Sequence, residues 1–479
     1  MVSQEDCSNN FFVDESFKGK PRAEAVSTLL MEMNPDVKGH AVVKDVREIL
    51  SNPNPKFFKA FSLVLATQLD EATLITLGEI CATYHIHLVV ARTYGLIGHV
   101  RIFSAEHLVV ELKPSPEPAP DLRVFNPWPS LKNLADKVDF SSLDGFEFKH
   151  LPFVLVLIKM SEKWKQSHGG KLPENFSQKE EFKKSIREIA RLPWGEEENL
   201  FEAVNNAFQA FAPARIGEEV LAVMQDKYCD HLTKDSPNFW IMARALRDFF
   251  KENNNVLPLP GTLPDMTATT ARFVELQNCY AEKAQQDLKS LSSKIDSLLK
   301  QIGKPVESIT WEERVTFCAN SSGLVAIRNR TLKDEFTMPK PLNDFGFDDP
   351  AEIPLYMNPA IWYLLWRSCD AIKSSKGAYP GSSPNASEIE LSADADEVFS
   401  RTKSLIENQY KSTIPSSALT RDCAVEMTRY GACEMHNIAA LIGGIAAEEC
   451  VKLLTQQYQP MDNTFIFNGI CSVGRYFSM

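Results

Sequence analysis

The sequence predicts an α/β protein in which a sheet domain is divided by a large, mostly helical insertion. Near-continuous apolar runs at 61–66 and 86–91 flank a helical pattern, which is typical of a parallel sheet covered on both faces. A thin helix and a strand-like run occur within 429–469, near the C-terminus. One helix and one strand cannot form a core alone. We therefore expect them to complete the sheet begun upstream, with the residues between as an insertion.

The C-terminal helix is predicted from apolar residues that recur every three or four positions. Its interior contains the pair Gly443-Gly444, and each glycine costs a helix about 1 kcal/mol relative to alanine. Close packing of the helix backbone on the sheet is the compensation we expect. The run 465–467 then predicts a strand that ends at Asn468-Gly469. The predicted apolar stripe is Ile438, Leu441, Ile442, Ile445, Cys450, Val451 and Leu454.

The first part of the chain continues past its two parallel strands. Helical spacing predicts a helix over 74–84, between those strands. Two further strands, 99–103 and 107–112, are predicted close together, and the glycines at 95 and 98 permit the turn that leads into them.

The middle of the chain is predicted to be helical. Ser236-Pro237 has the residue types of a helix start, and Asn253 ends that helix. A long helix follows over 273–302 and is closed by Gly303. Its apolar spacing is close to a heptad, so both a coiled coil and an intramolecular bundle are consistent with it. The bundle is favoured because the flanking charges are irregular. The predicted domains are 1–150, 151–425 and 426–479.

Composition limits the classes of function. The 479 residues are enough for about three domains of ~150 residues. A net charge of −12 without a basic stripe argues against a nucleic-acid binder. The longest apolar run, 151–158, is far shorter than the ~20 residues of a membrane span, and no secretory signal is visible. Ten cysteines without a CxxC pair suit reduced thiols, so we expect a cytoplasmic protein that is also nuclear in some settings.

No phosphate-binding motif accompanies the predicted sheet. A doubly wound nucleotide fold opens with a strand, a glycine-rich turn and a helix that receives phosphate. Neither GxGxxG nor GxxxxGK[ST] occurs, and the nearest string, at 168–171, lacks the spacing and a preceding strand. We predict no cofactor-binding residue in this chain.

Candidate reactive side chains are also incomplete. Cys433 lies near His436, and Cys229 precedes His231, but neither has the surroundings of a catalytic thiol. A third candidate, His85 with His87, would share one face of a strand as a metal pair, yet no cysteine or carboxylate nearby completes four ligands. Glu448-Glu449, with Lys452 on the same helix, is predicted to be an ordinary surface pair. We predict no catalytic and no metal-binding residue.

Several strings, in this order and spacing, resemble one family. They are EDCSNNFF (5–12), GKPRAEA (19–25), VLATQL (64–69), ARTYGLIGHVRI (91–102), SPNFWIMARAL (236–246), LPDM (263–266), LQNCYAEKA (276–284), YPG (379–381) and RYGACEMHNIAALIGGIAAEE (429–449). The chain resembles the regulatory, amyloid-precursor-protein-binding subunits of the heterodimeric enzyme that activates the Nedd-type ubiquitin-like modifier. These belong to the ubiquitin-activating-enzyme, or ThiF-like, superfamily. The similarity is weakest over 305–425.

The resemblance implies a Rossmann-like, ThiF-type adenylation fold that is inactive. Residues 1–150 and 426–479 would form the adenylation-like domain, and 151–425 would be a catalytic-cysteine-like domain without the catalytic cysteine. A partner subunit would hold ATP and magnesium, adenylate the modifier's C-terminal glycine and carry the thioester cysteine. The bacterial relatives' zinc-binding CxxC pairs are absent here.

Three positions support inactivity within this resemblance. Active relatives have an Asn-Arg-Gln-Phe string where Asn10 is followed here by Phe11 and Phe12. They place an Asp that serves magnesium after the strand, where this chain has 67–69, Thr-Gln-Leu. Arg22 stands where they have a phosphate-facing lysine. One cation without a metal ligand or a glycine turn does not make a nucleotide site.

The resemblance also implies that the family's first strand-helix-strand is missing from this chain. The strand at 61–66 would then lose neighbours, and each uncovered apolar side chain forfeits about 1.5–3 kcal/mol of burial. Net stability is about 5–15 kcal/mol in total. We therefore expect the N-terminal third of the isolated chain to be poorly folded, with weak hydrogen-exchange protection of 61–66.

Four functions remain open from the sequence. The first is a non-catalytic subunit whose insertion helps to shape the groove for the modifier. The second is a stand-alone adenylyltransferase, which the missing glycine turn opposes. The third is an adaptor, and the fourth a regulatory subunit for another modifier, such as the SUMO type; the long insertion favours the Nedd type.

A partner contact is predicted where a proline-led segment enters the long helix. The same residues could instead belong to the core of the helical bundle, and the sequence supports these two interpretations about equally. The predicted interface residues are Asp265, Met266, Arg272, Phe273, Glu275, Leu276, Gln277 and Asn278.

Overall fold

The computed structural model describes residues 1–10, 12–51, 55–112, 121–347 and 354–479. Two compact units are present. Unit 1 combines Met1–His107 with Ile327–Met479, and unit 2 is Leu108–Ala326. Unit 1 is thus assembled from two separate parts of the chain, and unit 2 is the segment between them.

The unit boundaries differ from the predicted domain boundaries at 150/151 and 425/426. Leu131 and Phe148 are buried in a core of unit 2, so the segment before 150 belongs with the helices. Ile361 and Leu365 share a core with Ile466 of the sheet, so the helices after 327 belong to unit 1. A helical pattern in the sequence shows that one face of the helix is buried, but it does not show in which core that face lies. The sequence-based prediction therefore placed all the helices of the middle region in one domain.

The strands form two sheets. The larger has the order β1-β2-β3-β6-β7, and the smaller pairs β4 with β5. β1 and β2 are parallel, with Ala66 opposite Val90, whereas the remaining neighbours of the large sheet are antiparallel. The parallel pair is confirmed, but the sheet as a whole is mixed. The bounds are β1 Leu63–Thr67, β2 His87–Tyr94, β3 Ile97–Phe103, β4 His107–Val109, β5 Val325–Ile327, β6 Thr464–Asn468 and β7 Val473–Phe477.

The helices of the described residues fall into three groups along the chain. Before unit 2 lie α1 Gln4–Asn9, α2 Arg22–Met33, α3 Val46–Ser51, α4 Pro55–Phe58 and α5 Glu71–Tyr84. Within unit 2 lie α6 Pro129–Asp136, α7 Gly145–Lys149, α8 Phe153–Ser167, α9 Phe176–Glu188, α10 Glu198–Asn205, α11 Glu218–Gln225, α12 Asn238–Glu252, α13 Thr270–Ile302 and α14 Trp311–Ala319. After it lie α15 Leu332–Thr337, α16 Pro359–Lys376, α17 Glu388–Ser404, α18 Arg421–Tyr430 and α19 His436–Thr455.

Both faces of the large sheet are covered, as predicted. Successive side chains of a strand point to opposite faces, and each face packs against its own core. Leu88 and Val90 of β2 point to a core that includes residues of α5. Val89 of β2 points to the other core, which Ile438 and Ile442 of α19 complete. β1 is the first strand in the sheet order, and the expected weak protection of 61–66 in solution stays a prediction.

The apolar stripe predicted for α19 is only partly buried. Leu441, Val451 and Leu454 are 41%, 54% and 54% exposed. The buried residues of α19 include Ile438 and Ile442 of the predicted stripe, and they recur close to every fourth position along the helix. The full set of buried residues is Ile438, Ile442, Ala446, Glu449 and Leu453.

The predicted close approach at Gly443-Gly444 is wrong, since no atom lies within 4 Å of a Cβ added at either glycine. The sheet supplies the close approach instead. A Cβ on Gly98 of β3 would lie 2.4 Å from the Ile442 side chain of α19. Glycine is therefore needed on the strand, where α19 crosses it.

The turn between β2 and β3 is fixed by the segment that precedes α19. Gly95 has φ +55°, and a Cβ there would lie 2.1 Å from the Tyr430 ring. The Gly95 N–H donates to the Cys433 carbonyl at 2.8 Å. Part of the Arg-Tyr-Gly string that carried the resemblance thus packs directly on this hairpin.

Unit 2 is a helical bundle around two apolar cores. The long helix α13 begins after Thr269, whose hydroxyl accepts from the Arg272 N–H, and ends at Gly303, with φ +71°. Leu291 and Ile295 on its apolar face are fully buried within the chain. The interpretation as an intramolecular bundle is confirmed for this face. Among the residues that the structure describes, no helix is both long and apolar enough to cross a membrane.

Candidate functional site

The carboxyl ends of β1 and β2 form the edge at which open α/β sheets bind ligands. Gln68 follows β1 with φ +53°, and its side chain turns toward β2. Gln68 Nε2 donates to the Thr93 carbonyl at 3.0 Å, and Gln68 Oε1 accepts from the Thr93 N–H at 2.9 Å. The side-chain amide therefore acts as an additional backbone-like link between the strands, and both of its polar ends are occupied.

Asp70, two residues after Gln68, has a structural role. Asp70 caps α5, where its Oδ1 accepts from the Thr73 N–H at 3.0 Å. It also pairs with Arg47 at 3.2 Å. Burial alone would raise the pKa of Asp70, but the Thr73 bonds and the Arg47 charge hold it below the ordinary value. The group stays ionised as a helix cap.

The phosphate-facing position of the resemblance is filled by Arg22, at the start of α2. Its guanidinium pairs with Asp6 at 3.1 Å, and the Arg22 side chain is largely exposed. Asn10 Oδ1 accepts from the Phe12 N–H at 3.0 Å. Phe11, from the same string, lies outside the described residues.

These residues do not fit ATP and magnesium. The Gln68 amide links two strands and the Asp70 carboxylate caps a helix, so neither of these side chains is left to coordinate a metal, and the Arg22 guanidinium sits in a surface ion pair. Across the described part of the chain, no group of three His, Cys, Asp or Glu side chains is placed to hold a metal ion. We derive no nucleotide step from these residues.

A group of buried charges lies on the same sheet. We call Arg92, Arg101, Glu335, Arg367 and Asp370 the buried ion-pair cluster. Arg92 donates to both Asp370 oxygens, at 2.7 and 2.9 Å. Arg101 Nε donates to Glu335 Oε2 at 2.6 Å. Each pair ties an arginine of β2 or β3 to a carboxylate of α15 or α16, which follow unit 2 in the chain.

Tyrosine hydroxyl groups donate further hydrogen bonds to both carboxylates. The Tyr363 hydroxyl donates to Glu335 Oε1 at 2.7 Å, and the Tyr379 hydroxyl donates to Asp370 Oδ1 at 3.0 Å. Burial would raise the pKa of Glu335, but Arg101 and Tyr363 keep it below the ordinary value. His99 stacks on Tyr363, and burial lowers the pKa of His99 to about 3. The cluster thus fastens helices to the sheet with matched charges.

The sequence reasoning missed this cluster, although a signal was present. Arg92 and Arg101 are charged residues within strands whose side chains are almost all buried. A charged residue is rarely fully buried unless it is paired, so an arginine within such a run predicts an acidic partner. The partners at 335 and 370 could not be identified from sequence spacing.

The two candidate cysteines, Cys229 and Cys433, are not poised for nucleophilic chemistry. Burial raises the pKa of Cys433, and it raises the pKa of Cys229 to about 11. A nucleophilic cysteine needs the opposite shift, toward the thiolate. Neither residue has the electrostatics of a catalytic thiol.

The two histidines of the hypothetical metal pair do not share a face. His85 ends α5 in the left-handed conformation, with φ +54°, and lies outside β2. His87 begins β2, where its Nδ1 lies 2.9 Å from the Ser104 hydroxyl. The His87 ring makes an edge-on contact with the ring of His107, with 5.7 Å between centroids. The expectation of a shared strand face is wrong because the strand starts two residues later than His85.

The predicted surface pair Glu448-Glu449 is half correct. Glu448 is exposed and lies 3.2 Å from Lys452. Glu449 is buried, accepts from the Met461 N–H at 2.9 Å and also pairs with Lys452. It holds the chain after α19 against that helix, so its role is structural.

The predicted interface residues divide between surface and core. Asp265, Glu275 and Asn278 are exposed, and Arg272 pairs with Glu275 at 3.4 Å. The remaining members face inward: Met266 and Leu276 are buried, Phe273 packs on the same core, and Gln277 donates to the Gly261 carbonyl at 2.8 Å. The interface hypothesis stays a prediction, now concentrated on the exposed residues.

Comparison with known proteins gives a family for almost the whole chain. The family model described as "ThiF family" matches residues 1–473. A protein of Arabidopsis thaliana, the NEDD8-activating enzyme E1 regulatory subunit AXL, is 36% identical over 468 residues, which cover 97% of this chain and 86% of that protein. The NEDD8-activating enzyme E1 regulatory subunit of Danio rerio is 35% identical, over 100% of this chain and 88% of that protein. The Drosophila melanogaster protein of that name is 34% identical, over 98% of this chain and 85% of its own length.

Proposed function

The chain belongs to the ThiF family and, within it, to the regulatory subunits of the NEDD8-activating enzyme; from this premise we propose that it acts as the non-catalytic half of a heterodimer. Its partner is the catalytic subunit, and the substrate of the assembly is the NEDD8 modifier. The observation that carries the proposal is similarity to these regulatory subunits along almost the entire chain.

The division of labour follows from the edge of β1 and β2. Gln68 is bonded to Thr93, and Arg22 is paired with Asp6, so neither of these described side chains is left to take up magnesium or phosphate. ATP and Mg²⁺ are bound by the partner subunit, which adenylates the C-terminal glycine of the modifier and forms the thioester. The two parts of unit 1 are the adenylation-like domain, and unit 2 is the catalytic-cysteine-like insertion.

We assign the protein to the cytoplasm and, in addition, to the nucleus. All ten cysteines are free thiols, five of them buried, which suits a reducing compartment. The net charge of −12 disfavours contact with nucleic acid. Regulation of the SUMO type is not favoured, since the relatives named above are NEDD8-activating enzyme subunits.

An exchange assay tests the division of labour. The full chain alone, the partner alone and the reconstituted heterodimer are each incubated with NEDD8, ATP and labelled pyrophosphate. We expect no exchange above background from the chain alone and strong exchange from the heterodimer. Exchange by the isolated chain would establish a stand-alone adenylyltransferase and overturn the proposal.

The partner surface of unit 2 is tested separately. Asp265, Glu275 and Asn278 are exposed, so replacing all three by Arg leaves the bundle core intact. We expect co-purification of the catalytic subunit to fall at least tenfold. A second triple on α13, Glu282, Gln285 and Gln286 to Arg, adds nearly as much positive charge at exposed positions and serves as the control. Undiminished co-purification of the first triple would remove this segment from the interface without affecting the proposed function.

A further inference from the structure

A row of exposed aromatic side chains lies on unit 2. We call Trp194, Phe201 and Phe208 the aromatic row; they are 44%, 48% and 52% exposed. Phe201 lies on α10, and Phe208 lies seven residues later in the 3-10 turn that continues this helix, so both share one side of it. The Trp194 and Phe201 rings are 6.3 Å apart between centroids. Single exposed apolar residues are normal, whereas a group of large ones on one face indicates an interaction site.

One side of the aromatic row is basic. It is formed by α9, which packs against α10 and has a basic residue at every fourth position, Lys179, Lys183 and Arg187. Residues at this spacing share one side of a helix. Arg187 lies over the Trp194 ring, 5.5 Å from its centroid, so the basic side reaches the row. Lys183 pairs with Glu180 at 2.8 Å, but Arg187 has no ion-pair partner among the described residues.

The other side of the aromatic row is acidic. Glu198 is exposed and lies on α10, one turn before Phe201, and the exposed Glu196 precedes it. Glu198 also lies four residues before Glu202, so these two share a side of α10. Glu202 accepts from the Thr267 N–H at 3.0 Å, which places this side against the segment before α13 and not against α9. Within the described part of the chain, neither Glu196 nor Glu198 forms an ion pair.

The charge pattern is complementary to its own copy. A twofold axis along the aromatic row places the row of one copy on the row of the other and exchanges the basic and acidic sides. Arg187 and Glu198 both lie near the Trp194–Phe201 end of the row, so each Arg187 faces the Glu198 of the other copy. Reciprocal contacts of this kind define an isologous interface. Aromatic residues and arginine are also the side chains that are enriched in protein interfaces.

We propose that the aromatic row, with its basic and acidic sides, is a docking site for a second copy of this chain. Other occupants match the surface less well. An acidic peptide or an anionic membrane suits the basic side but brings negative charge against Glu196 and Glu198. Because the row is short, we expect a weak dimer, with a Kd of about 1–100 μM. The proposal goes beyond the proposed function and does not depend on it, since the contact joins like chains.

Analytical ultracentrifugation of the full chain measures this association. We expect a monomer–dimer equilibrium for the unaltered chain. Arg187→Glu places like charges at both reciprocal contacts, and Glu198→Arg does so with the opposite sign, so each variant alone should dimerise about tenfold more weakly or worse. A chain that stays monomeric well above the expected Kd contradicts the proposal. A dimer that neither variant weakens forms through another surface and contradicts it as well.

A mixture of these two charge variants provides the sharpest test. In a mixed dimer both reciprocal contacts again join opposite charges, so the mixture should dimerise with the affinity of the unaltered chain. A folding defect in either variant cannot produce this rescue. If the mixture stays monomeric while the unaltered chain dimerises, the two charges do not face each other, and the proposal is overturned.

The aromatic row is tested with a matched control. Phe201→Ser together with Phe208→Ser removes two exposed rings, and dimerisation should weaken by about tenfold or more, as expected for the loss of interface anchors. Trp311→Ser removes a 54% exposed ring of α14, outside the row, and should leave the Kd unchanged. Equal dissociation constants for the double variant and this control would exclude the row from the contact. Should the double variant fail to fold, the charge variants still decide.

Discussion

Units 1 and 2 bury charge in different ways. In unit 2, buried charges bond to groups close in the sequence: Arg314 pairs with Asp296 at 2.7 Å, 18 residues away. In unit 1, Arg92 and Asp370 are 278 residues apart. Unit 2 is therefore held by helix faces that the local sequence encodes, whereas unit 1 depends on ion pairs that join the two parts of the chain.

The difference has an energetic consequence. A buried ion pair is weak evidence of net stabilisation, but removal of one partner leaves the other charged and unsolvated. An apolar helix face instead loses transfer energy and gains a cavity when one side chain is truncated. The comparison predicts that the most damaging substitutions in unit 1 remove a charge, and those in unit 2 remove a hydrocarbon.

Removal of a buried carboxylate should have the largest effect. Glu335→Ala leaves Arg101 buried without its ion-pair partner, so the free energy of unfolding should fall by about 3–5 kcal/mol. Urea denaturation of the full chain measures it. Glu79→Ala, which breaks the exposed pair with Lys333, is the control and should cost about 0–1 kcal/mol. A loss of less than about 1 kcal/mol for Glu335→Ala would show that the cluster is not needed for stability.

Truncation of an apolar residue in the bundle comes next. Leu291 on α13 is fully buried, so Leu291→Ala should lower the stability of unit 2 by about 2–5 kcal/mol. Hydrogen exchange should locate the loss in unit 2 amides, while β2 and β3 keep their protection. Val274→Ala, at an exposed position of the same helix, is the control. Equal loss of protection in both units would mean that they unfold as one.

Acid should weaken unit 1 through a buried histidine. Burial, with a smaller contribution from His87, lowers the pKa of His107 to about 4. The unfolded chain binds this proton near pH 6.5, so stability is full above that value and falls as the pH decreases toward 4. Denaturation at several pH values should show a shallower slope for His107→Gln. The control His168→Gln, at an exposed position, should keep the pH dependence of the unaltered protein. Identical pH dependence of the free energy of unfolding in the unaltered protein and both variants would rule out His107 as its source.

The smallest effect is expected on the outer side of α19. Val451 is more than half exposed, so Val451→Gln should change the free energy of unfolding by no more than about 0.5 kcal/mol. Ile442→Ala, on the line that packs against Gly98, should cost about 2–5 kcal/mol. Thermal melts of both variants make the comparison. A large loss for Val451→Gln would reveal that this side of α19 is covered in solution.

Local pattern sufficed for elements whose faces are fixed by neighbours in sequence. The strands at β1 and β2, the helix between them and the end of α13 at Gly303 were all predictable, because alternation, helical spacing and a left-handed glycine are local features. The family resemblance supplied the functional class.

The failures have a common cause, which is that packing direction is not local. The sequence of α19 contains more apolar residues than one sheet face can bury, so the pattern could not show that Leu441 would remain exposed while Glu449 would be buried. For Met266 and Leu276 the sequence left an interface and the bundle core equally open, and the structure buries both side chains in a core. The partners of Arg92 and Arg101 lie more than 200 residues downstream, where spacing carries no information.

The pair of hydrogen bonds between the Gln68 side chain and the Thr93 backbone has a consequence for any attempt to give this chain catalytic activity. A carboxylate at position 68 could serve as a metal ligand, but it has no hydrogen to give to the Thr93 carbonyl. The same substitution would bring a negative charge beside that carbonyl oxygen, and the tip of β1 would separate from β2. Metal binding and strand attachment therefore exclude each other at this residue, and a reversal would need a second change that rebuilds the link.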